Sequence, residues 1–409
     1  MNRTCISALI VLLGSVSACA TVGGHAEPES GHHDVRAAAI ARAQIWKQTD
    51  IGAMDIKEGP GGKGAFPFRA TVGGHAEPES GHHDVRAAAI ARAQIWKRTD
   101  IGAMDIKEGP GGKGAFPFRA TVYCDYLDKK MTGDSAKFAC VIGKDDEVKV
   151  KFGGTNGEVF GEVLATRLLW ALGFGADRMY PVNVICRHCP ERFGGIERPG
   201  DESRFDPAAI ERKADGKEWP SDARSGWSWD ELDSVNPELG GAPRAQRDAL
   251  RLLAVFMQHT DSKPEQQRIV CQDRPVSKAS CNRPFMMLND VGLTFGRANR
   301  NNSNDAGSVN LMAWRRTPVW KDDTGCTGNL PRSLTGTLNN PVIGEDGRRF
   351  LADLLVQLSD HQIRDLFEVA RVQLRLQSPG DVSSGFATVD AWINAFKEKR
   401  TQIVDRRCA

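Results

Sequence analysis

The stretch at residues 259–266, His-Thr-Asp-Ser-Lys-Pro-Glu-Gln, decides how the rest of the chain is interpreted. It follows an apolar run with helical spacing and precedes a short strand-like run, and a second strand-like run then ends in Asp-Val-Gly at 290–292. Phosphoryl transfer needs an Asp that orients or deprotonates the attacking hydroxyl, a cation that neutralises the moving group, and an Asp that holds Mg²⁺. The spacing of Asp261, Lys263 and Asp290 therefore predicts a phosphoryl-transfer site.

These two stretches resemble the signature motifs of the protein-kinase-like superfamily. The segment 259–265 is similar to the kinase catalytic loop, His-Arg-Asp-Leu-Lys-Pro-Glu-Asn, and 290–292 is similar to the Asp-Phe-Gly metal motif. Gln266 takes the place of the metal-binding Asn, Val291 takes the place of Phe, and the interval between the motifs is longer than in ordinary protein kinases. The resemblance implies a divergent member of the superfamily.

The resemblance also implies a fold, and the local patterns from residue 119 onward agree with it. Alternation with period two predicts three strands, at 119–126, 137–142 and 147–152. A helix is predicted at 158–172 and a further strand at 179–186. The expected fold class is α+β, a two-lobed protein-kinase-like fold. A small antiparallel β lobe plus one helix would span 119–186, and a larger, mainly helical lobe would span 187–405.

Within the larger lobe, residues 187–243 are rich in Gly, Pro and charged residues, which predicts a loop-rich insertion. A short helical piece is expected at 207–212. Trp219, Trp227 and Trp229 are expected to anchor the packing of this insertion, and the alternative is that they line a substrate surface. Helical spacing further along predicts three helices, at 345–358, 359–374 and 388–404.

The residues that would contact the nucleotide phosphates are implied by the resemblance as well. Val-Lys-Val-Lys at 148–151, set against the kinase Val-Ala-Ile-Lys, favours Lys151 over Lys149 as the strand lysine. Glu162 is its expected helix partner, with Glu158 second. The alternative is that both lysines lie on an exposed strand face.

The polar loop 128–136 lies where the phosphate-covering loop of a kinase-like fold belongs. Its Thr132-Gly133 pair, followed by Lys137, is closest in pattern to the HipA-type branch of the superfamily. Thr132, Gly133 and Lys137 are therefore expected to contact the nucleotide. The Gly-rich segment 109–114 lacks the Lys-Ser/Thr of a phosphate-binding loop and is expected to be a turn.

The resemblance assigns roles to the remaining site residues. Asp261 would act as the base or hydroxyl-positioning group, Lys263 would neutralise the transferring phosphoryl, and His259 would brace the loop. Asp290, helped by Gln266, would hold the metal. ATP and Mg²⁺ are the cofactors implied, and the acceptor stays open.

Two other function classes are kept. The first is an inactive pseudokinase or ligand-binding module, favoured by Gln266, by Val291 and by the scarcity of ATP outside the cytoplasm. The second is a metal-dependent hydrolase using Asp261, Asp290 and His259, for which the sequence lacks a complete ligand set. The net charge of +2 does not indicate nucleic-acid binding, and the oligomeric state is not predicted.

The N-terminus has the pattern of a targeting segment. Arg3 precedes an apolar run at 6–16 that is too short to span a bilayer. Val-Ser-Ala-Cys at 16–19 is typical of a bacterial lipobox with Cys19 lipidated, which predicts a lipoprotein signal peptide at 1–19. The alternative is signal-peptidase cleavage after Ala20. Both predict export, to the periplasm or to a membrane-anchored position in a bacterial cell envelope.

Eight cysteines follow Cys19, and an even number in an exported chain predicts disulfides. Cys271 and Cys281 flank a predicted hairpin and are expected to pair. Cys124 and Cys140 lie on neighbouring predicted strands and are a second candidate pair. Cys-Arg-His-Cys at 186–189 is expected to form a disulfide, and the alternative is a zinc site that would need two further ligands.

Residues 21–70 recur at 71–120, and the two copies differ only at Gln48 and Arg98. Such near-identity indicates a recent tandem duplication or an error in the sequence. Only the second copy continues into the predicted small lobe. The first copy, at 20–70, is expected to be a loosely held arm, and 71–118 is expected to be an N-terminal extension.

Overall fold

The computed structural model describes residues 80–190, 192–193, 196–197, 202–219, 226–273, 280–297, 300–301, 308–376 and 387–408. The predicted signal peptide, Cys19 and the first repeat copy lie outside the described residues. Within the described ranges, no helix has both the length and the apolar composition that crossing a membrane requires.

Five strands form a closed barrel near the middle of the chain. In chain order, the strands from residue 121 to residue 212 are β1 (Thr121–Leu127), β2 (Lys137–Ile142), β3 (Asp146–Phe152), β4 (Arg178–Arg187), the two-residue strands β5 (Arg192–Phe193) and β6 (Ile196–Glu197), and β7 (Glu202–Arg212). The barrel order is β1-β2-β3-β7-β4, and β1 closes it by pairing in parallel with β4. The strands predicted around 119–126, 137–142, 147–152 and 179–186 are thus confirmed.

The helical piece predicted at 207–212 is wrong, because these residues belong to β7. β7 pairs with β3 on one side and β4 on the other, and its Phe205 ring lies 4.8 Å from Phe138 and 4.7 Å from Phe152, centroid to centroid. Pro207 has no N–H to give to a ladder, but it lies at the register shift between β4 and β7, where Val182 pairs with Ala208 and Val184 with Phe205. The barrel therefore extends beyond residue 186.

Most of the helices lie in the second half of the chain. In chain order, the α-helices of the described residues are α1 (Ser80–Ala91), α2 (Gly157–Ala171), α3 (Arg244–Met257), α4 (Leu311–Arg316), α5 (Glu345–Leu355), α6 (Asp360–Val369) and α7 (Val389–Asp405). The helix α6 begins with a capping box, in which Ser359 and Gln362 exchange backbone and side-chain hydrogen bonds. The helix α1 ends at Ala91, and beyond it Gln94 and Trp96 form backbone bridges to Phe285 and Phe174.

A three-stranded sheet lies beside α3. It contains β8 (Lys217–Glu218), β9 (Gln267–Cys271) and β10 (Pro284–Leu288), in the order β10-β9-β8. The antiparallel pair β9–β10 is the hairpin that the sequence predicts, and Asp290 follows it directly. The predicted insertion contains Trp219, Trp227 and Trp229. All three are buried, as expected for residues that anchor packing.

The buried apolar side chains form two clusters. The smaller one fills the barrel, and the larger one includes α2, α3 and α5 to α7. Because α2 packs into the larger cluster, together with Met179 and Ala209 of the barrel strands, the fold is a mixed α and β structure that is not clearly divided into two lobes.

All eight cysteines after Cys19 form disulfides. Three pairs are those expected from the sequence: Cys124–Cys140, Cys186–Cys189 and Cys271–Cys281. The fourth, Cys326–Cys408, joins residues 82 positions apart, and no local pattern predicts it. Four disulfides are consistent with an oxidising compartment.

Candidate active site

A cluster of one lysine and three carboxylates lies where β3, α2 and the end of the β9–β10 hairpin meet. The Lys151 side chain is buried, and its Nζ lies 2.6 Å from Glu158 Oε2 and 2.5 Å from Glu162 Oε1. Asp290 Oδ1 is 3.7 Å from the same nitrogen. Glu158 and Glu162 both reach Lys151 because residues four apart share a face of a helix.

Two glycines allow α2 and the Asp-Val-Gly segment to approach closely. A Cβ on Gly161 would lie 2.3 Å from the Gly292 carbonyl oxygen, and a Cβ on Gly292 would lie 2.6 Å from Glu158 Cγ. Any larger side chain at either position would push the helix away from the hairpin. Gly161 had no role in the sequence interpretation, although a glycine inside a helix otherwise costs stability and is itself a signal of close packing.

The charges of the cluster depend on one another. Burial alone lowers the pKa of Lys151, but Asp290, Glu162 and Glu158 together raise it well above its usual value, so the ammonium stays charged. Burial raises the pKa of Glu162 well above its usual range. Burial also opposes ionisation of Asp290, but Lys151 and a hydrogen bond with Glu162 hold its pKa below the usual value. Asp290 is therefore the ionised member of the Glu162–Asp290 pair.

The three carboxylates also have the donor atoms of a divalent cation site. One oxygen each from Glu158, Glu162 and Asp290 lies within 4.8 Å of the others. Oxygen ligands suit Mg²⁺, which is usually bound through one or two carboxylates. The Asp290 side chain is 30% exposed whereas that of Glu162 is 3% exposed, so Asp290 is the carboxylate that faces an incoming ion.

The loop 259–266 begins where α3 ends at a left-handed C-cap, Gln258. Asp261 Oδ2 accepts hydrogen bonds from Gln266 Nε2 at 2.8 Å and from Lys263 Nζ at 3.3 Å. The predicted pairing of Asp261 with Lys263 in one loop is thus present in the structure, and Gln266 holds the same carboxylate from the other side.

Gln266 also connects the loop to the hairpin. Its carbonyl oxygen accepts from Asn289 N at 2.8 Å and from Asp290 N at 3.4 Å. Its side-chain Nε2 donates to Asp261, and the carboxylates grouped with Asp290 are Glu158 and Glu162, neither of which the sequence interpretation had assigned to the metal.

The segment 333–338 is hydrogen-bonded to the loop 259–266. Ser333 Oγ donates to the Thr260 carbonyl at 2.7 Å, and Thr337 Oγ1 donates to the Ser262 carbonyl at 2.9 Å. These contacts join residues more than 70 positions apart, and the sequence interpretation missed them because two hydroxyl side chains in a polar loop have no local signal.

The expected phosphate-contacting residues are only partly brought together. The Lys149 ammonium pairs with Glu211 of β7 and not with the carboxylates around Lys151. Lys137 Nζ lies 3.2 Å from Ser135 Oγ and packs over Gly133, and burial followed by repulsion from Lys151 lowers the pKa of Lys137. Thr132 is exposed.

His259 lies inside the protein as a neutral imidazole. The residue is fully buried, and neither ring nitrogen has a hydrogen-bond partner within the described part of the chain. Burial lowers the pKa of His259 from 6.5 to about 4, although Asp261 and Asp290 oppose the shift. The expected bracing role of His259 stays a prediction.

The buried His259 should make folding stability depend on pH. Between pH 6.5 and about 4 the unfolded chain binds a proton at this residue and the folded chain does not, so the free energy of unfolding should fall as the pH is lowered through this window. The loss should reach about 3 kcal/mol. Urea unfolding of His259→Phe across this range should show a flatter dependence. His361→Gln, which alters an exposed histidine, should keep the wild-type dependence of the free energy of unfolding on pH. If His259→Phe also kept the wild-type dependence, the assignment of this dependence to His259 would be wrong.

Comparison with known proteins gives distant structural neighbours only. No family model and no curated protein matches the sequence. The chain is similar to the solved structure of a proinflammatory kinase of Helicobacter pylori, CtkA, with 11% identity, 71% of this chain and 96% of that chain covered, and a TM-score of 0.38. It is also similar to HipA of the Shewanella oneidensis MR-1 toxin–antitoxin system, solved with HipB and operator DNA, with 12% identity, 69% and 68% coverage, and a TM-score of 0.31. TM-scores below 0.5 do not by themselves establish a shared fold.

Proposed function

We propose that this protein is an exported kinase-like phosphotransferase that uses Mg-ATP to phosphorylate an acceptor hydroxyl. The observation that carries the proposal is the convergence of Lys151 from β3, Glu162 from α2 and Asp290 from the hairpin in one cluster. Gln266 links that cluster to Asp261 through one side-chain bond and one backbone bond. Export is supported by the four disulfides and by the targeting pattern of the sequence.

The proposed roles follow from charge and position. Lys151 and Lys137 would neutralise phosphate oxygens of ATP, and Asp290 with Glu158 would hold Mg²⁺. Bound Mg²⁺ would supply positive charge beside the transferring phosphoryl group. The acceptor oxygen forms a bond to the γ-phosphorus as the bond from that phosphorus to the bridging oxygen breaks. The bridging oxygen keeps the electron pair on ADP, and Asp261 takes the hydroxyl proton.

A second candidate is a pseudokinase or ligand-binding module. It is favoured by Gln266 and Val291, which take the places of the metal-binding Asn and of the Phe in ordinary kinases. The two candidates share nucleotide binding and differ in turnover.

The first test is a thermal shift of the full chain with Mg-ATP. A ligand at 100 times its Kd stabilises the folded state by about 2.7 kcal/mol, which a melting curve detects readily. We expect stabilisation of the wild type that needs both ATP and Mg²⁺, and its loss in Asp290→Asn, which keeps the shape of the side chain and removes its charge.

The matched control is Asp145→Asn, which changes an exposed aspartate in the β2–β3 turn and should respond to Mg-ATP like the wild type. If Mg-ATP leaves the melting temperature of the wild type unchanged, the proposal is wrong for both the enzyme and the nucleotide-binding module.

A further inference from the structure

A cavity lies beside the segment 331–334, which is hydrogen-bonded to the loop that contains Asp261. It has a volume of about 420 Å³ and is lined by Arg300, Pro331, Arg332, Ser333 and Leu334. Its two sides are joined by a backbone hydrogen bond from Leu334 N to the Arg300 carbonyl at 2.9 Å.

One wall of this cavity is attached directly to the catalytic loop. Ser333, the buried member of the lining, donates through Oγ to the carbonyl of Thr260, the residue before Asp261. Four positions further on, Thr337 donates to the carbonyl of Ser262, the residue after Asp261, through its backbone N at 3.1 Å and its hydroxyl at 2.9 Å. The cavity wall is therefore hydrogen-bonded, through Ser333, to the backbone next to Asp261.

The cavity also has a distinct chemistry. Arg300 and Arg332 are both exposed, and neither guanidinium has a hydrogen bond or a carboxylate partner among the residues that the structure describes. By contrast, the exposed Arg315 and Arg364 pair with Glu398 and Asp390. Guanidinium groups match phosphate and carboxylate groups in geometry and charge. The adjoining Leu334 is 65% exposed and offers an apolar contact beside the two cations.

We infer that this cavity binds the phosphoryl acceptor and that the acceptor carries an anionic group, phosphate or carboxylate, in addition to its hydroxyl. The anionic group would bind Arg300 and Arg332, and the hydroxyl would have to reach Asp261, whose loop is hydrogen-bonded to the neighbouring segment 333–338. The identity of the ligand as an acceptor rests on the proposed function, whereas the anion site itself rests on the two arginines.

The first arm of the test measures anion binding without any turnover. Inorganic phosphate is titrated calorimetrically, at constant ionic strength, into the full-length wild type and into the double variant Arg300→Gln/Arg332→Gln. Loss of the two charge-assisted contacts should weaken binding by at least about tenfold. Arg316→Gln, which removes one exposed arginine from α4, is the control and should bind like the wild type. Phosphate bound near Lys151 would persist in all three proteins and so would not obscure the difference.

The second arm measures ATP consumption with matched acceptors. One pair is glycerol 3-phosphate against glycerol, and the other is a Ser peptide flanked by Glu against the same peptide flanked by Gln. These pairs distinguish a phosphorylated small molecule from an acidic peptide. We expect the anionic member of one pair to be preferred, and the preference to disappear in the double variant while the Mg-ATP thermal shift remains.

The outcomes separate the two proposals. Equal phosphate affinity in the wild type and the double variant overturns the inference, whatever Mg-ATP does. Equal use of the neutral and anionic acceptors overturns it too. A wild type that binds phosphate through the two arginines but does not respond to Mg-ATP overturns the proposed function and leaves the anion site standing.

Discussion

Asp261→Asn should lower the rate of phosphoryl transfer by about 10²–10⁴-fold, the range that a general base contributes. The substitution keeps the shape of the side chain and an oxygen that can accept from Gln266 Nε2. It removes the charge that would take the hydroxyl proton and that pairs with Lys263. The loss should appear in kcat, because Asp261 is assigned to the acceptor hydroxyl and not to the nucleotide.

Nucleotide binding provides the contrast. Asp261→Asn should keep the Mg-ATP thermal shift of the wild type, whereas Asp290→Asn should lose it. Turnover is measured as ADP release with the acceptor identified from the matched pairs. A variant as active as the wild type would remove Asp261 from the chemistry. A wild type that binds Mg-ATP and never turns it over would favour the pseudokinase.

Lys151→Met should lower turnover by about 10²–10³-fold and should also destabilise the fold. A buried charge left without its partner costs about 3–5 kcal/mol, and here Glu158, Glu162 and Asp290 would lose the ammonium that they surround. Loss of one such electrostatic group at the reacting centre typically costs about 2.7–4 kcal/mol in the barrier. The two effects are separated by measuring the free energy of unfolding beside the rate.

The pH dependence identifies the cause of this instability. Without Lys151 the three carboxylates would repel one another in the folded chain, and binding protons would reduce that repulsion. The folded chain would therefore hold more protons than the unfolded chain above about pH 4.5. The stability deficit of Lys151→Met should therefore grow as the pH rises and shrink as it falls. A deficit that is constant with pH would indicate a packing defect and not the loss of a charge.

Lys149→Met is the matched comparison for stability. It removes the same side chain two residues earlier on the same strand, where the Lys149 side chain is 29% exposed. Its partner Glu211 keeps a second cation, Lys213, at 2.5 Å. We expect its cost to be about 1 kcal/mol or less, as for a partly exposed pair.

Local pattern was sufficient for the secondary structure and for the catalytic loop. The barrel strands β1 to β4, the helix α2 and the β9–β10 hairpin follow from hydrophobic periodicity and turn residues, which act over a few positions. The same holds for the pairing of Asp261 with Lys263 and for the delivery of Asp290 by a hairpin.

The assignments that failed were those that depend on long-range pairing. Residues 207–212 have a helix-like composition, yet two neighbouring strands supply the backbone partners that make them part of β7. The metal role expected for Gln266 stays a prediction, and only the folded chain shows that Glu158 and Glu162 lie beside Asp290.

The sequence by itself determined most of the elements, the candidate loop, the pairing of Lys151 with Glu162 and three of the four disulfides. Only the tertiary structure decided the closed barrel, the close approach of Gly161 to Gly292, the bracing by Ser333 and Thr337, and the Cys326–Cys408 link. The reason is physical. Periodicity reports which face of a segment is buried, but contacts between segments 70 or more positions apart depend on how those faces pack together.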